Sequence, residues 1–542
     1  MSFPSSARRR PSARRSALAL AVLAGLSGQS RAALTDNLGT SVVAMSLGNA
    51  VVADPPGLDS IHFNPAGLAR ITKDTKSDAV FGASIKPYAR FSQPSDFDIG
   101  GWKEDPLNGT HTGPVRQTLY LPGIGVPKFR LPAAIAAGMG FAFHEEGSRW
   151  TFATSTYAPQ AVGLDHTTDP NDPARFDGKK VVIQRLVYLA PSVGYKISDT
   201  LRIGAAVPIA HQGFALETDM RMPNVVLGIM GKLQDAWCGE NGNSLDPLLL
   251  GICGGGKEGR LRPFNQAGSM GFDMTAPFDP TLNLGILWEP KDWFAMGAVY
   301  QFGSKTVLTG RFKFEAAPML RKFIDGMYNS LFGPVAASIV GFPTSIPAEQ
   351  SGNATLVLPF PEHVQVGIKF KPIRMVQFNV DANWTNWARW KTLTFQFDQQ
   401  VELLKMARLF GQADAAKLTI PRGYTSPVHF GFGLDINPYG GLHLRAGYEP
   451  RKTSIPNAAM DLIAPLPNLK VVSLGAGYEA KDGFRVDATV SYTHGKFNLP
   501  ARTSCNLNCD NFFNVIYNPY AGLDINGGIY VRYLGVSLSK PF

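Results

Sequence analysis

Apolar and polar side chains alternate one by one along this chain, in paired runs joined by short turns. Val364, Val366, Ile368 and Phe370 alternate with Gln365, Gly367 and Lys369; past a turn at Pro372 come Val376, Phe378, Val380 and Ala382 against Gln377, Asn379 and Asp381. Successive side chains of a strand point to opposite faces, so such runs build sheets with one apolar and one polar face. The pattern returns at Val193/Tyr195 with Leu201/Ile203/Ala205/Val207, and at Leu282/Leu284/Ile286/Trp288 with Phe294/Met296/Ala298/Tyr300. It returns twice more, at Phe430/Phe432/Leu434 with Leu442/Leu444/Ala446/Tyr448 and at Val472/Leu474/Ala476/Tyr478 with Val486/Ala488/Val490/Tyr492. Outside the N-terminal leader no segment approaches the ~18 consecutive apolar residues of a spanning helix. The mean hydropathy of −0.04 shows the same dilution of apolar residues.

Further runs near 79–91, 119–126, 133–144 and 531–542 bring the expected strands to fourteen. Hairpin turns are short, and one carries Asp482-Gly483, a strong hairpin signal. The connections near 92–118, 145–184, 212–280, 303–361, 385–427, 450–469 and 494–530 are long. Short turns at one rim, long loops at the other and an even strand number mark an outer-membrane barrel. Ten residues at ~3.3 Å rise, tilted about 40°, reach ~25 Å, the height of its apolar band. Soluble β-sandwiches alternate too, but Gln, Asn, Asp and Arg on the second face are poor material for a packed core. The last strand ends at Phe542 with Leu534, Val536 and Leu538 in phase, resembling the terminal signal read by the barrel assembly machinery; Lys540 shares the phase and can snorkel. The fold expected is all-β: a fourteen-stranded antiparallel transmembrane barrel in a bacterial outer membrane.

Charged residues make only 17% of the chain, and the formal net charge is +10. Much of that excess lies in a leader. Arg8, Arg9, Arg10, Arg14 and Arg15 precede an apolar run from Ala17 to Leu26, and Ser30-Arg31-Ala32 supplies small residues at a cleavage site before Ala33. Removing residues 1–32 takes away six Arg and no acid, so +10 falls to +4. That is no footprint for nucleic acid.

Residues 33–78 lack strand alternation and are rich in small side chains, as a compact plug inside a fourteen-stranded lumen would be. Within them Gly48–Asp54 is followed by Asn64-Pro65-Ala66. Here, and at Ala190-Pro191-Ser192-Val193-Gly194-Tyr195-Lys196, Asp381-Ala382-Asn383-Trp384 and Arg445-Ala446-Gly447-Tyr448-Glu449, the chain resembles the FadL-type outer-membrane transporters of long-chain fatty acids and other hydrophobic compounds. The resemblance implies an N-terminal hatch (33–78) carrying the Asn64, Pro65, Ala66 motif inside a barrel of residues 79–542. It further implies capture of a hydrophobic molecule among external loops, a shift of the hatch, and lateral exit at a kinked third strand. It favours a monomer. With the third strand read at 133–144, Gly138 and Gly140 are candidates for the opening, since glycine weakens strand pairing.

Two external loops carry apolar residues at helical spacing: Val225, Val226, Ile229, Met230, Leu233 and Trp237, then Met319, Leu320, Phe323, Ile324, Met327, Tyr328, Leu331 and Phe332. Soft Met and aromatic side chains suit an adaptable apolar site. Ile229, Met230, Leu233, Phe323, Met327, Leu331 and Phe332 are therefore the ligand candidates, with Arg321, Lys322 or a lumen-phase Arg445 as partner for a carboxylate. Cys238 with Cys253, and Cys505 with Cys509, read as disulfides stapling external loops of an exported chain. Neither pair has a His or third Cys at zinc-ligand spacing. The Gly251–Lys257 run mimics a phosphate loop, but Glu258 stands where Ser or Thr should hold magnesium. No catalytic constellation, metal or cofactor is expected. The expected partners are hydrophobic small molecules, outer-membrane lipids and lipopolysaccharide; a general porin and a surface adhesin are the alternative readings.

Overall fold

The computed structural model describes residues 39–240, 242–254, 256–407, 414–463, 465–510 and 518–542; the expected leader lies outside them. Fourteen antiparallel strands close into a barrel among the described residues. They are β1 Thr75–Ser92, β2 Ala134–Phe143, β3 Trp150–Asp165, β4 Ser192–Lys196, β5 Leu201–Ala206, β6 Asn283–Lys291 and β7 Phe294–Gln301. The circuit continues through β8 His363–Ile373, β9 Val376–Thr385, β10 Val428–Ile436, β11 Leu442–Arg451, β12 Leu469–Glu479, β13 Arg485–Leu499 and β14 Asp524–Pro541. β14 returns to β1 over the whole length from Thr75↔Pro541 to Ser92↔Asp524, which closes the barrel. The alternation decides which face is which. Val366, Ile368 and Phe370 are exposed outside, while Gln365, Asn379 and Asp381 are buried inside.

The number of strands agrees with the sequence reading, but one member differs. Residues 119–126 form no strand; they are a strap on the outer wall, where Tyr120 lies over Gly213, whose added Cβ would meet the ring at 2.4 Å. The missing strand is β3, inside what reads as a loop, because its Thr- and Ser-rich sequence and Pro159 blur the alternation. The run near 133–144 is accordingly the second strand, and the third is Trp150–Asp165. β1 also starts at Thr75, four residues before the expected 79.

Several strands continue past the barrel as a second tier: Lys180–Leu189, Ile209–Arg221, Gln266–Pro280, Ser304–Ala316, Glu349–Phe360, Thr392–Phe397 and Lys417–Pro421. Pro191, Pro208 and Pro361 stand at the breaks between tiers, with Pro280 at a segment end. Proline brings no N–H to a ladder, so a row of them bends the wall at one height. Above that row the inner face changes character. Phe272, Phe312, Phe314, Phe395 and Phe397 are buried inside the upper tier, with the Phe272 and Phe395 rings stacked at 4.2 Å.

Below the row, residues 39–70 fill the lumen. Their short helix Val42–Ser46 is capped by Ser41, whose hydroxyl accepts the Ala44 amide at 3.1 Å. Most of this backbone is irregular, and its polar groups need partners. Wall side chains supply them: Gln365 donates to the Asn49 carbonyl (2.8 Å), Asn379 to Ala50 (2.8 Å) and Gln301 to His62 (2.6 Å). Asp381 accepts the Val52 amide at 2.8 Å. Backbone approaches so closely that glycine is required in the wall; a Cβ on Gly297 would lie 2.1 Å from the Val52 carbonyl oxygen.

That clash gives a direct test. Gly297→Val leaves the strand ladder intact but excludes residues 52–53 from their seat. The ion conductance of the purified protein in planar bilayers is expected to rise several-fold over wild type. Equal conductances would show that residues 39–70 do not seal the lumen in this way.

Candidate functional site

Three helices roof the upper tier: Val225–Cys238, Pro318–Tyr328 and Gly333–Val340. Asn224 caps the first by accepting the Val226 amide at 2.8 Å. Small residues let this helix pack tightly, since a Cβ on Gly228 would meet the Ile99 carbonyl oxygen at 2.1 Å. Beneath the roof is a cavity of about 270 Å³ whose lining is apolar throughout. Of the ligand candidates, Met230, Phe323 and Met327 line it. Ile229 and Leu233 face outward at 57% and 48% exposure, as do Leu331 at 63% and Phe332 at 54%, beyond the end of Pro318–Tyr328.

No basic candidate reaches the cavity. Lys322 pairs with Glu258 on the outside, and Arg321 is not among the lining residues. Arg445 has the expected lumen phase but sits low in the barrel, donating to Asp487 at 2.7 Å and Asp435 at 3.3 Å. Sequence reasoning missed Met220, Met222, Met270, Phe314 and Met406 in the lining. Their signal was present: six of the chain's 14 methionines converge on this one cavity.

Asn64, Pro65 and Ala66 lie at the junction of inner segment and wall. Asn64 Oδ1 accepts the Ala66 amide at 3.1 Å and so caps the turn Pro65–Arg70. Its Nδ2 donates both to the Val52 carbonyl (2.8 Å) and to the Ile286 carbonyl of β6 (3.0 Å). One side chain thus ties two parts of the segment to each other and to the barrel. Pro65 fills the space over Gly204, where a Cβ would come within 2.2 Å of it. Nearby, Arg70 bridges Asp54 at 2.8 Å and Glu289 at 2.5 Å, and Lys369 reaches both at 3.2 Å.

Gly138 and Gly140 belong to β2, beside a seam in the wall. The β2–β3 ladder runs only from Phe143↔Phe152 to Met139↔Thr156, although both strands continue. Above it, residues 134–138 pair with β1 alone, and β3 bulges between Tyr157 and Gln160, around Ala158 and Pro159. The third strand breaks register at Ala158-Pro159, and Gly138 and Gly140, expected in the third strand, lie in the second. Gly39 of the inner segment bridges to Ala158 there, with the Ala158 amide donating at 3.4 Å. A small cavity of about 20 Å³ behind it is lined by Leu58, Phe81, Gly138, Gly140 and Tyr157, among others.

Cys238 is bonded to Cys253, closing a stretch that ends the first roof helix, and Cys505 to Cys509 in the last external loop. Among the described residues no group of three His, Cys, Asp or Glu could hold a metal ion.

Comparison with known proteins agrees with this architecture. Residues 21–521 match the family model described as outer membrane protein transport protein (OMPP1/FadL/TodX). A search of curated proteins found no match. A FadL homologue of Pseudomonas aeruginosa superposes with a TM-score of 0.63 at 18% identity, covering 95% of this chain and 100% of that one. The toluene transporter TbuX of Ralstonia pickettii gives 0.55 at 15% identity over 93% and 99% of the two chains. The toluene transporter TodX of P. putida gives 0.57 at 14% over 94% and 99%.

The external loops are clasped to one another by a buried carboxyl. Asp177, at the end of the turn Pro173–Asp177, accepts the Leu462 amide at 2.7 Å. Burial pushes the Asp177 carboxyl up to about 7, against the opposing pull of that amide and of Arg422. A carboxyl raised in the folded state binds its proton more tightly there than in the open loop. The clasp is therefore firmest below the ordinary value of 3.8 and weakens as pH rises through about 7. Hydrogen exchange at the Leu462 amide is expected to speed up between pH 5 and pH 8 beyond its intrinsic rate. Asp177→Asn should remove that extra dependence; an unchanged profile in the variant would refute the assignment.

Proposed function

We propose, for a chain that belongs to the OMPP1/FadL/TodX family of outer-membrane transport proteins, that it takes up hydrophobic molecules which carry no charge. The observation that supports this most directly is the Met-rich apolar cavity under the helical roof. Burial there contributes ~25 cal/mol per Å² of apolar ligand surface, which lifts a poorly soluble molecule out of water. A carboxylate gains nothing from such a lining and loses its hydration, at a cost of several kcal/mol. Long-chain fatty acids are thus the less fitting members of the family's substrate range for this site.

Below the cavity the route meets the inner segment, which acts as a hatch. The ligand leaves sideways through the β2–β3 seam once Gly39 withdraws from Ala158, reaching the membrane without crossing a polar lumen. Several features support this path. The ladder is incomplete there, Pro159 gives no N–H to close it, and the small cavity behind Gly138 and Gly140 adjoins the hatch.

The test is uptake of labelled toluene and labelled oleate by cells that lack their own transporter and express this chain. Toluene uptake well above background with little oleate uptake is expected. Phe323→Asp should reduce toluene uptake at least tenfold at equal surface expression. No uptake of either compound by a properly inserted protein would overturn the reading.

The exit has its own test. Gly39→Cys with Ala158→Cys joins the bridge partners by a disulfide, and uptake should fall to background when it forms and return on mild reduction. Undiminished uptake by the cross-linked protein would place the exit elsewhere.

A further inference from the structure

The outer face of the barrel is not uniform around its circumference. On β14, Leu538, Val536 and Leu534 face lipid, and the next outward residues are Arg532, Tyr530, Gly528 and Asn526. Register places Lys86 and His494 beside Tyr530, with Lys470 beside His494. The next row up sets Tyr88 and Lys496 on either side of Gly528, and the row above sets Arg90 beside Asn526. Five exposed cations, Lys86, Arg90, Lys470, Lys496 and Arg532, thus occupy four adjacent rows on four neighbouring strands. Directly opposed side chains in such a ladder lie about 5 Å apart.

None of the five cations is held in an ion pair among the described residues. Those four rows of β12, β13, β14 and β1 carry no acid of outward phase; Asp524, one row above at the rim, accepts the Ala501 amide at 2.7 Å. Among the cations lies a groove of about 540 Å³, lined by Tyr88, Arg90, Lys496, Phe497, Asn526, Gly527 and Tyr530. Tyr88 lies flat against the wall because Gly528 beneath it has no side chain; a Cβ there would meet the ring at 2.9 Å. The Tyr88 and Tyr530 rings are stacked at 5.4 Å, and Tyr492 extends the row at 6.3 Å from Tyr530.

Height fixes what such a surface meets. The Lys86↔Tyr530 pair is eleven residues above Thr75↔Pro541. At ~3.3 Å per residue and about 40° tilt that is ~28 Å, the outer boundary of the apolar band. Cations gathered at a lipid headgroup level attract phosphate, and tyrosines at that level offer flat faces to sugar rings. In the outer leaflet of an outer membrane the molecule bearing phosphate on sugar is lipopolysaccharide. We propose that the outward face of β12, β13, β14 and β1 is a binding site for its phosphorylated lipid A headgroup. The cations hold the phosphates, the groove takes a glucosamine ring against Tyr88 and Tyr530, and the acyl chains lie along the apolar face below. This site is separate from the uptake route and does not depend on what is transported.

The experiment uses the full-length purified protein in detergent, with lipid A retention read by native mass spectrometry. Wild type is expected to retain lipid A in preference to both dephosphorylated lipid A and phosphatidylglycerol. Lys86→Gln, Arg90→Gln, Lys496→Gln and Arg532→Gln combined should lower retention more than tenfold, while Lys291→Gln with Lys481→Gln, at the periplasmic turns, should leave it unchanged. Heat-modifiable migration on gels shows that each barrel is folded. Should the fourfold variant not fold, Arg532→Gln and Lys496→Gln are read singly, each with an expected loss of about fivefold. Equal retention of phosphorylated and dephosphorylated lipid, equal retention of phosphatidylglycerol, or full retention by folded Gln variants would overturn the proposal.

Discussion

Irregular backbone at membrane depth survives only where protein, not lipid, satisfies its polar groups. The amide-rich lumen wall of this barrel meets that demand, and much else in the fold depends on it. Residues 39–70 could not rest inside an apolar tube, because each unpaired buried carbonyl or amide costs about 1–3 kcal/mol. Gln301, Gln365 and Asn379 each reach in to a carbonyl of the segment, and Asn64 reaches out to one of the wall. The inward faces of β6 to β9 are therefore constrained twice: they carry amides at particular heights, and glycines where backbone meets backbone. The outer face is freed for lipid by the same alternation.

The row of prolines separates two solvents inside one wall. Below it, inward positions carry Gln, Asn, Asp and Arg against the plug; above it, they carry Phe, Leu and Met around a cavity. Where Pro191, Pro208 and Pro361 stand, the ladder is interrupted at the height at which the chemistry changes. A continuous barrel of either kind would lack one function: all polar, it would not hold a hydrophobic molecule, and all apolar, it would not seat the plug.

The barrel was legible in the sequence because alternation and turn asymmetry are local signals that repeat. The total of fourteen strands nevertheless rests on two compensating differences. Residues 119–126 alternate because Tyr120 packs against the outer wall, and β3 fails to alternate clearly because Pro159 and its hydroxyl residues serve a seam. The Asn64-Pro65-Ala66 motif was visible, but its three-way hydrogen bonding was not, since Val52 and Ile286 offer only carbonyls that no sequence pattern marks. The roof helices were visible at 3.6-residue spacing, yet apolar residues lie on both their faces. Spacing alone could not tell Met230, which lines the cavity, from Ile229, which is turned outward. Arg445 shows the same limit along the barrel axis: phase gives the inward direction and says nothing of height.

Magnitudes narrow how the proposed route can open. Eleven side-chain hydrogen bonds between the plug and the wall, those of Asn49, Ala50, Val52, Asp54, Ile61, His62, Asn64 and Arg70 with their partners, sum to on the order of 10 kcal/mol at about 1 kcal/mol each. A ligand of monoaromatic size that buries ~200 Å² of apolar surface brings about 5 kcal/mol. It cannot expel the plug. The attachment described at the seam is weaker, a 3.4 Å bond between the Ala158 amide and Gly39, the first described residue of the segment. The smallest sufficient motion is then withdrawal of that end while the body of the plug, pinned by Asn64, stays seated. On the proposed route such a division would keep the lumen closed to polar solutes during transport, which release of the whole segment would not.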